Sequence, residues 1–216
     1  MGDVHIFVAD IHLRPQAKNE VRRFVSWLSH AAETGDAVYI LGDLFDYWYS
    51  GMENSFETVI EALKSPVVHL MPGNRDFLLR NARLRGIDIS HAEEVTISLS
   101  GKKILLAHGH TLTDADAGFK MLHRYGWPVI GCADRILPVS IKDRCARFMV
   151  RSSAMVRPSS ADIRKDMAKA RGVDLVICGH LHRHVQREGL IVLPAFFDTG
   201  AWLSWNESGP RLETFR

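Results

Sequence analysis

The amino-acid sequence predicts an α/β protein: a mixed β-sheet covered by helices, with a helical insertion ahead of the last strands. Two observations predict this class. In the N-terminal half, short β-branched runs alternate with helical patterns, which is typical of parallel strands joined by helices. Residues 118–171 read helical and contain no good strand pattern, although strand patterns lie on both sides of them. We therefore expect a single domain over residues 1–216 with a helical insertion at about 118–171.

The elements are predicted in the following order. Three strands, "VHIFVAD", "AVYILGD" and "PVVHLMPGN", are separated by two helices, "NEVRRFVSWLSHAAE" and "SFETVIEALK". The segment "EVTISLSGKKILLAHGH" then predicts two strands that turn at Ser100 and Gly101. After the insertion, "DLVICGHLHRHVQREGLIVLPAFFDTGAW" predicts a strand, a loop and further strands.

Composition limits the classes of protein that the chain can represent. With 46% hydrophobic residues, it can bury a sizeable core. Its longest apolar runs are far shorter than the roughly 18 residues of a membrane span, and "MGDVHIFVAD" lacks the charged-then-apolar order of a signal peptide, so we expect a cytoplasmic protein. Cys132, Cys145 and Cys178 form no CxxC pair. We expect them to be small packing residues rather than disulfide partners or zinc ligands.

Potential metal ligands stand at the ends of five predicted strands, which is where open α/β sheets place their sites. They are Asp10 and His12 in "ADIHL", Asp43 in "LGDLFD", Asn74 in "GNRD", His108 in "AHGH", and His180 and His182 in "GHLH". Carboxylates, an amide oxygen and imidazoles form a mixed set that first-row divalent metals such as Mn, Fe, Co or Zn accept.

Seven ligands are too many for one tetrahedral ion but suit two ions about 3.5–4 Å apart that share a carboxylate. We expect Asp43 to be that shared ligand. Glycine precedes Asp43, Asn74 and His180 and follows His108, which lets the backbone turn sharply at each position. One such motif alone is weak evidence, but five in this order predict a dinuclear site.

The motifs "DIH", "GD", "GN", "HGH" and "GHLH" resemble the signature of the calcineurin-like metallophosphoesterases over nearly the whole chain. The resemblance implies a two-layer β-sandwich around a dimetal centre that hydrolyses phosphoesters or phosphoanhydrides. It implies that one ion is held by Asp10, His12, Asp43 and His182, and the other by Asp43, Asn74, His108 and His180. Such a pair neutralises phosphate oxygens and activates water. Asn74, Arg75 and His108 are the residues expected to act in catalysis.

Four longer stretches, "FVADIHL", "YILGDLFDYW", "GNRDFLL" and "HGHTLTDADAGF", resemble the UDP-2,3-diacylglucosamine pyrophosphatase branch of that family. This implies cleavage of a UDP-linked diacylated sugar to UMP and the diacylglucosamine 1-phosphate, in lipid A synthesis. It also implies Mn2+, with Fe, Co or Zn as alternatives, and a peripheral position on the inner face of the bacterial inner membrane. The expected substrate contacts are Asn74, Arg75, Asp116, Phe119, Arg157, Arg164, Lys165 and His180. No spacing argument ranks the basic residues among them.

Arg75 bears on the leaving group. Many members of the superfamily carry His after Gly-Asn, where it can act as an acid, but an arginine does not give up a proton at useful pH. It can instead clamp a phosphate through two N–H groups, which favours a substrate whose leaving group is itself a phosphate. The chain departs from the branch at His110, where His-Gly-Asp is common, and at Phe119, where tyrosine is common; its insertion is also shorter.

The insertion is strongly basic. From residue 117 to 171 there are twelve Lys and Arg against four Asp, a charge of +8, and because the whole chain carries +2 the remainder carries −6. Apolar side chains fall on one face of a predicted helix with arginines elsewhere: Ile141, Cys145, Phe148, Met149 and Met155, against Arg144, Arg147 and Arg151. A basic amphipathic helix can lie on an anionic membrane. Alternatively, the apolar face packs the insertion onto the sandwich.

Three other functions are compatible with parts of the sequence. The first is a phosphodiesterase or pyrophosphatase of soluble nucleotides. The second is a non-catalytic metallophosphoesterase-like scaffold, which is expected to lack ligands. The third is a nucleic-acid hydrolase, since a charge of +8 can follow a phosphate backbone; Trp and Met without a regular basic groove favour lipid, so we expect no nucleic-acid partner. We also expect a monomer that binds an amphiphilic nucleotide-sugar and an anionic membrane.

Overall fold

The structure, a computed structural model, describes residues 3–113, 122–155 and 163–215. Its strands are, in chain order, β1 His5–Val8, β2 Ala37–Leu41, β3 Val68–Met71, β4 Asp88–Ile89, β5 Glu94–Leu99, β6 Lys102–Ala107, β7 Leu175–Cys178, β8 Val185–Arg187, β9 Leu190–Val192, β10 Ala201–Asn206 and β11 Gly209–Thr214. The helices are α1 Lys18–Thr34, α2 Glu57–Ala62, α3 Trp127–Ile136, α4 Val139–Met155, α5 Met167–Arg171 and α6 Phe196–Thr199. Short 3-10 helices cover Glu53–Ser55 and Phe77–Asn81, and a π-helical turn covers Leu122–Gly126.

The strands form two mixed sheets. In the first sheet the order is β11-β10-β1-β2-β3-β4, with β1 to β4 parallel and β10 antiparallel to both neighbours. In the second sheet the order is β5-β6-β7-β9-β8, with β6, β7 and β9 parallel and an antiparallel strand at each edge. The expected mixed α/β architecture is therefore confirmed.

The core explains the two layers. Along β1, Ile6 and Val8 face α1, whereas Phe7 and Ala9 face the second sheet, because successive strand side chains point to opposite faces. An apolar cluster with members from both sheets fills the space between them, including Phe7 and Leu106. Strand patterns alone predicted one mixed sheet, and this was wrong because local patterns do not reveal which strands pair. The two-layer sandwich implied by the family resemblance is the observed arrangement.

The insertion is anchored on the loop that follows β2. The hydroxyl groups of Tyr47 and Tyr49 donate to Asp143 Oδ1 at 3.5 and 3.3 Å. Lys142 Nζ donates to the Ser50 carbonyl at 3.1 Å, and the Ser50 N–H donates to Asp134 Oδ1 at 3.1 Å. These bonds join α3 and α4 to the segment that also carries Asp43. Among the described helices, none is long and apolar enough to cross a membrane.

The three cysteines do not share one role. Cys178 is buried at the end of β7, as expected of a packing residue. Cys132 on α3 and Cys145 on α4 are exposed, so the expectation that they pack in a core was wrong. Both lie in helices of the insertion, where Ala146 rather than Cys145 is the buried residue.

Candidate metal centre

The predicted ligands follow parallel strands of both sheets. Asp10, Asp43 and Asn74 come just after β1, β2 and β3, which run parallel in the first sheet. His108 and His180 come just after β6 and β7, which run parallel in the second sheet. Carboxyl ends of parallel strands meet at one edge of a sheet, so both layers deliver side chains to the same end of the sandwich.

Five of the seven predicted ligands have a left-handed backbone. The φ angles are 55° at Asp10, 53° at His12, 52° at Asp43, 71° at His180 and 52° at His182. Among the described residues the sole other non-glycine case is Ser100, in the turn between β5 and β6. This conformation costs on the order of 1–3 kcal/mol per residue and concentrates at functional sites. Asp and His are among the residues that tolerate it best.

Glycines let the ligand-bearing loops approach each other closely. A Cβ atom on Gly73 would overlap Asp43 Oδ1, and one on Gly179 would overlap the Ala9 side chain and Asp10 Oδ2. Each glycine precedes a predicted ligand, and because neither has a positive φ, it is the absence of a side chain that these two positions require.

The first ligand group consists of Asp10, His12 and His182, with Asp43 beside them. Asp10 Oδ1 lies 3.3 Å from His182 Nε2 and 3.7 Å from His12 Nε2. The two imidazole Nε2 atoms are 3.1 Å apart, and His12 Nε2 is 4.0 Å from Asp43 Oδ2. Asp10, His12 and His182 offer ligand atoms close enough together to contact one ion, and Asp10, Asp43 and His108 form a second such set.

The second ligand group consists of Asn74 and His108, again with Asp43. His108 Nε2 lies 3.5 Å from Asp43 Oδ2 and 2.9 Å from Asn74 Oδ1. His108 Nδ1 donates to the Leu41 carbonyl at 2.9 Å, which turns Nε2 towards the carboxylate and the amide. The His180 ring is 5.1 Å from the His108 ring, and its backbone N–H donates to Asp10 Oδ2 at 2.8 Å. Asp43 thus stands between the two groups.

The residues fit two divalent ions. Asp10 Oδ1 and His12 Nδ1 are buried and have no hydrogen-bond partner among the residues that the structure describes. In the neutral tautomer set by Leu41, His108 Nε2 and Asn74 Oδ1 are two acceptors facing each other at 2.9 Å, an arrangement that a shared cation satisfies. The donor set of carboxylate, amide and imidazole suits first-row divalent metals.

Electrostatics also separate the titratable groups of the site. Burial raises the pKa of Asp10, but the His182 imidazole beside it, followed by the other nearby imidazoles, outweighs burial, so the pKa lies below its ordinary value. Burial lowers the pKa of His12, and it lowers that of His180 to about 4. At His108 burial is outweighed by Asp43 and Asp10, and its pKa is raised. Ionised carboxylates and neutral imidazoles are the forms that bind metals, and the shifts at Asp10, His12 and His180 favour those forms, whereas the raised pKa of His108 favours the imidazolium.

Arg75 lies inside the site rather than on the surface. Its backbone N–H donates to Asp43 Oδ1 at 2.9 Å, and its Nη1 donates to Asp46 Oδ1 at 2.8 Å. Its Nε is 3.9 Å from Asp43 Oδ2, and the side chain is 17% exposed. A guanidinium is thus held at the ligand that both groups share.

Two aspartates of the site were not predicted. Asp46 pairs with Arg75 and lies 3.8 Å from His12 Nδ1. Asp76 is fully buried and accepts N–H bonds from Gly73 at 2.7 Å and Phe45 at 3.1 Å, which ties the Asn74 turn to the Asp43 loop. Burial, and then the charge of Asp43, raise the pKa of Asp76 to about 7. The second Asp of "GDLFD" and the Asp of "GNRD" were the available signals.

The residues expected to contact the substrate do not all lie at the metal centre. Asn74, Arg75 and His180 lie at the centre as described. Arg164 is exposed and pairs with Asp166 at 2.7 Å, and Lys165 is exposed, so the described contacts place neither at the metal centre. Asp116, Phe119 and Arg157 lie outside the described residues. His110 is buried, with its ring 5.5 Å from that of His108 and 5.6 Å from that of Trp127.

Comparison with known proteins shows a family model and several relatives that match most of this chain. A family model described as calcineurin-like phosphoesterase matches residues 2–184. A UDP-2,3-diacylglucosamine hydrolase of Photorhabdus laumondii is 33% identical over 82% of this chain and 81% of its own. Proteins of the same name from Actinobacillus succinogenes and Pseudomonas aeruginosa are 29% and 30% identical, covering 96% and 82% of this chain and 94% and 81% of theirs.

Proposed function

Because the chain belongs to the calcineurin-like phosphoesterase family, and is therefore a metal-dependent hydrolase of phosphoester or pyrophosphate bonds, we propose that it cleaves the diphosphate of UDP-2,3-diacylglucosamine. The products are UMP and 2,3-diacylglucosamine 1-phosphate. The names of the relatives support this substrate, and the insertion gives a physical reason for it.

The observation that carries the proposal is the apolar surface of the insertion. Among the described residues, nine large apolar side chains are exposed, and seven of them belong to the insertion: Tyr125, Val129, Ile136, Val139, Ile141, Phe148 and Met149. Ile136 is 81% exposed and Phe148 is 71% exposed. Ile141, Phe148 and Met149 are spaced i, i+7 and i+8 along α4 and so lie on one helix face, and exposed apolar faces mark binding surfaces for lipids or partners. The described side chains of the predicted apolar face thus favour a ligand-binding role over packing onto the sandwich.

The position of the insertion connects this surface to the chemistry. Trp127, at the start of α3, stacks on Phe77 with ring centroids 4.2 Å apart, and Phe77 follows Asn74 by three residues. Asp143 of α4 is bonded to Tyr47 and Tyr49 beyond Asp43. These contacts hold the insertion beside the segments that carry Asp43 and Asn74, which supports a substrate whose diphosphate lies at the metal centre and whose acyl chains lie on the insertion.

The side chains of the centre have separable tasks. Two bound divalent ions supply Lewis-acid neutralisation of phosphate oxygens and an activated water. Asp43 lies near His12 of the first group and His108 of the second and would be the ligand that both ions share, and the Leu41 carbonyl fixes the direction of His108. Arg75 presents its guanidinium beside Asp43 and stabilises charge that develops on the diphosphate. Because arginine does not donate its proton, Arg75 cannot be the acid for the leaving group, and a weakly basic phosphate does not require Arg75 to be one.

The proposal includes the metal and the location. Mn2+ suits the mixed nitrogen and oxygen ligands, with Fe, Co and Zn as alternatives. The exposed apolar side chains and the +8 charge of residues 117–171 support peripheral binding to an anionic membrane, on the cytoplasmic face of the inner membrane.

Release of UMP from UDP-2,3-diacylglucosamine tests the proposal. We expect UMP release to require Mn2+ and to stop when EDTA is added. We also expect it to be on the order of 100-fold faster than release from UDP-N-acetylglucosamine, because each acyl CH2 that is buried contributes roughly 0.8 kcal/mol of binding free energy. Equal rates on the two substrates would instead identify a pyrophosphatase of soluble nucleotides. Cleavage of bis-p-nitrophenyl phosphate alone would refute both.

A matched pair of variants tests the role of the insertion. Replacing Ile141, Phe148 and Met149 by serine is expected to lower both activity on the acylated substrate and co-sedimentation with anionic liposomes. Leu212→Ser is the control, because Leu212 is an exposed apolar residue of β11, outside the insertion. Full activity and unchanged liposome binding in the triple variant would show that the apolar surface binds neither acyl chains nor membrane.

A further inference from the structure

Phe197 is an exposed aromatic side chain at the metal centre. It is 38% exposed, and of the other eight exposed large apolar residues in the described part of the chain, seven lie in the insertion and one on β11. Its ring centroid is 5.5 Å from that of His12 and 6.2 Å from that of His182, with the planes close to perpendicular in both cases. Phe197 therefore borders the first ligand group.

The backbone of α6, which carries the Phe197 ring, is held in place by the fold. Its neighbour Phe196 is 2% exposed, packs on Trp27 with centroids 4.9 Å apart, and donates its N–H to the Ala9 carbonyl at 3.1 Å. Gly200, with φ of 64°, ends α6 and donates to the Phe196 carbonyl at 2.7 Å. A backbone fixed in this way does not have to be ordered when a ligand contacts the Phe197 ring.

Phe197 and the insertion belong to different parts of the centre. The insertion is anchored on segments that follow Asp43 and Asn74, whereas α6 packs on α1 and on the end of β1. A diphosphate between the two ligand groups has two substituents. If one substituent lies on the apolar surface of the insertion, the other can extend past the first ligand group, where Phe197 is an exposed aromatic side chain of the described part of the chain.

We propose that Phe197 is a specificity-determining residue that stacks on the nucleobase of the substrate. A base has a flat aromatic face and is joined to its phosphate by a single sugar, so it must lie close to the metal centre. Stacking of a base on an aromatic side chain contributes about 1–3 kcal/mol and tolerates different bases. The inference rests on the proposed function, since it assigns the second half of the same substrate.

Calorimetric titration of the Mn2+-loaded protein with UMP and with ribose 5-phosphate tests the assignment. The two ligands share the phosphate and the sugar, so the ratio of their Kd values isolates the base, even in a variant whose metal centre has changed. We expect wild-type protein to bind UMP about 5- to 150-fold more tightly than ribose 5-phosphate, the range that 1–3 kcal/mol allows. Phe197→Ala should bring the ratio close to one, and Phe197→Tyr should retain it.

Leu212→Ala serves as the control and should keep the wild-type ratio. A wild-type ratio near one, absence of UMP binding, or an undiminished ratio in Phe197→Ala would each overturn the assignment. The proposed function is scored separately by UMP release from UDP-2,3-diacylglucosamine. If the wild-type protein does not release UMP from this substrate, but its preference for UMP over ribose 5-phosphate disappears in Phe197→Ala, the base site is supported and the proposed substrate is refuted. If UMP is released but the preference for UMP over ribose 5-phosphate is unchanged in Phe197→Ala, the base site alone is refuted.

Discussion

Replacing Arg75 by alanine is expected to separate phosphate binding from metal binding. The substitution removes the guanidinium but keeps the backbone N–H that donates to Asp43 Oδ1 at 2.9 Å. The side-chain Nε is 3.9 Å from Asp43 Oδ2, beyond hydrogen-bond distance, so the carboxylate loses no bond. We therefore expect Arg75→Ala to bind as much Mn2+ as wild type.

The size of the catalytic loss follows from the surroundings of the guanidinium. Two unit charges about 4 Å apart have an interaction energy of roughly 4 kcal/mol at the effective dielectric constant of a protein surface. Asp46 already accepts a bond from Nη1 at 2.8 Å and neutralises part of that charge. Removing one positioned donor elsewhere costs about 2.7–4 kcal/mol. We expect a loss of about 2–4 kcal/mol, or about 30- to 1000-fold in kcat/KM.

The assay compares two substrates in the same preparations. UMP release from UDP-2,3-diacylglucosamine should fall by that factor, whereas hydrolysis of bis-p-nitrophenyl phosphate should fall much less. Arg75→Lys is the matched control: it keeps a positive charge but loses the planar fork, so an intermediate loss is expected. Arg75→His should lose the diphosphate substrate while gaining relative activity on esters with poor leaving groups, because a histidine can supply a proton.

Metal analysis and the activity ratio together decide the outcome. Loss of Mn2+ from Arg75→Ala would mean that the side chain supports the ligands. An equal fall on both substrates, or no fall on either, would show that Arg75 has no role specific to a phosphate leaving group.

The remaining predictions concern the shared ligand, a buried carboxylate and the thiols. Asp43→Ala should abolish hydrolysis and release both ions together, measured by metal analysis, and retention of two ions would refute a bridging role. Asp76→Ala should destabilise the fold by about 2–6 kcal/mol in urea unfolding, because two buried N–H groups lose their acceptor, while Asp76→Asn should cost less. Cys132 and Cys145 should react with a thiol reagent in the native protein, whereas Cys178 should react after unfolding, because burial raises its pKa; rapid native labelling of Cys178 would contradict this.

Much of the fold could be predicted from local patterns. The helix read in "NEVRRFVSWLSHAAE" is α1, Lys18–Thr34, and the turn at Ser100 and Gly101 joins β5 to β6. The division into two sheets could not be predicted from those patterns. It depends on long-range pairing such as β1 with β10, whose partners are separated by nearly the whole chain.

The candidate ligands could be proposed from the sequence because four of the five motifs combine a strand end, a glycine and a metal-binding side chain, and the fifth, "ADIHL", combines a strand end with two such side chains. Asp46 and Asp76 were missed for a physical reason: their contacts are with Arg75 and with backbone N–H groups of other loops, and such partners have no local sequence signature. Phe197 was missed because the two adjacent aromatic residues of "PAFFDTG" do not show which of them faces the core and which faces the site. Its neighbour Phe196 faces the core.

The left-handed backbone at five ligand positions restricts how this centre can change over evolution. Asp, Asn, His and Gly adopt that conformation at modest cost, whereas β-branched and bulky residues are strained there. In a descendant that no longer binds metal, the side chains at these five positions no longer have to be metal ligands. They must still be residues that tolerate a left-handed backbone. We expect relatives that have lost hydrolysis to carry mostly Asn or Gly at these positions, so that the shape of the metal centre outlasts its activity.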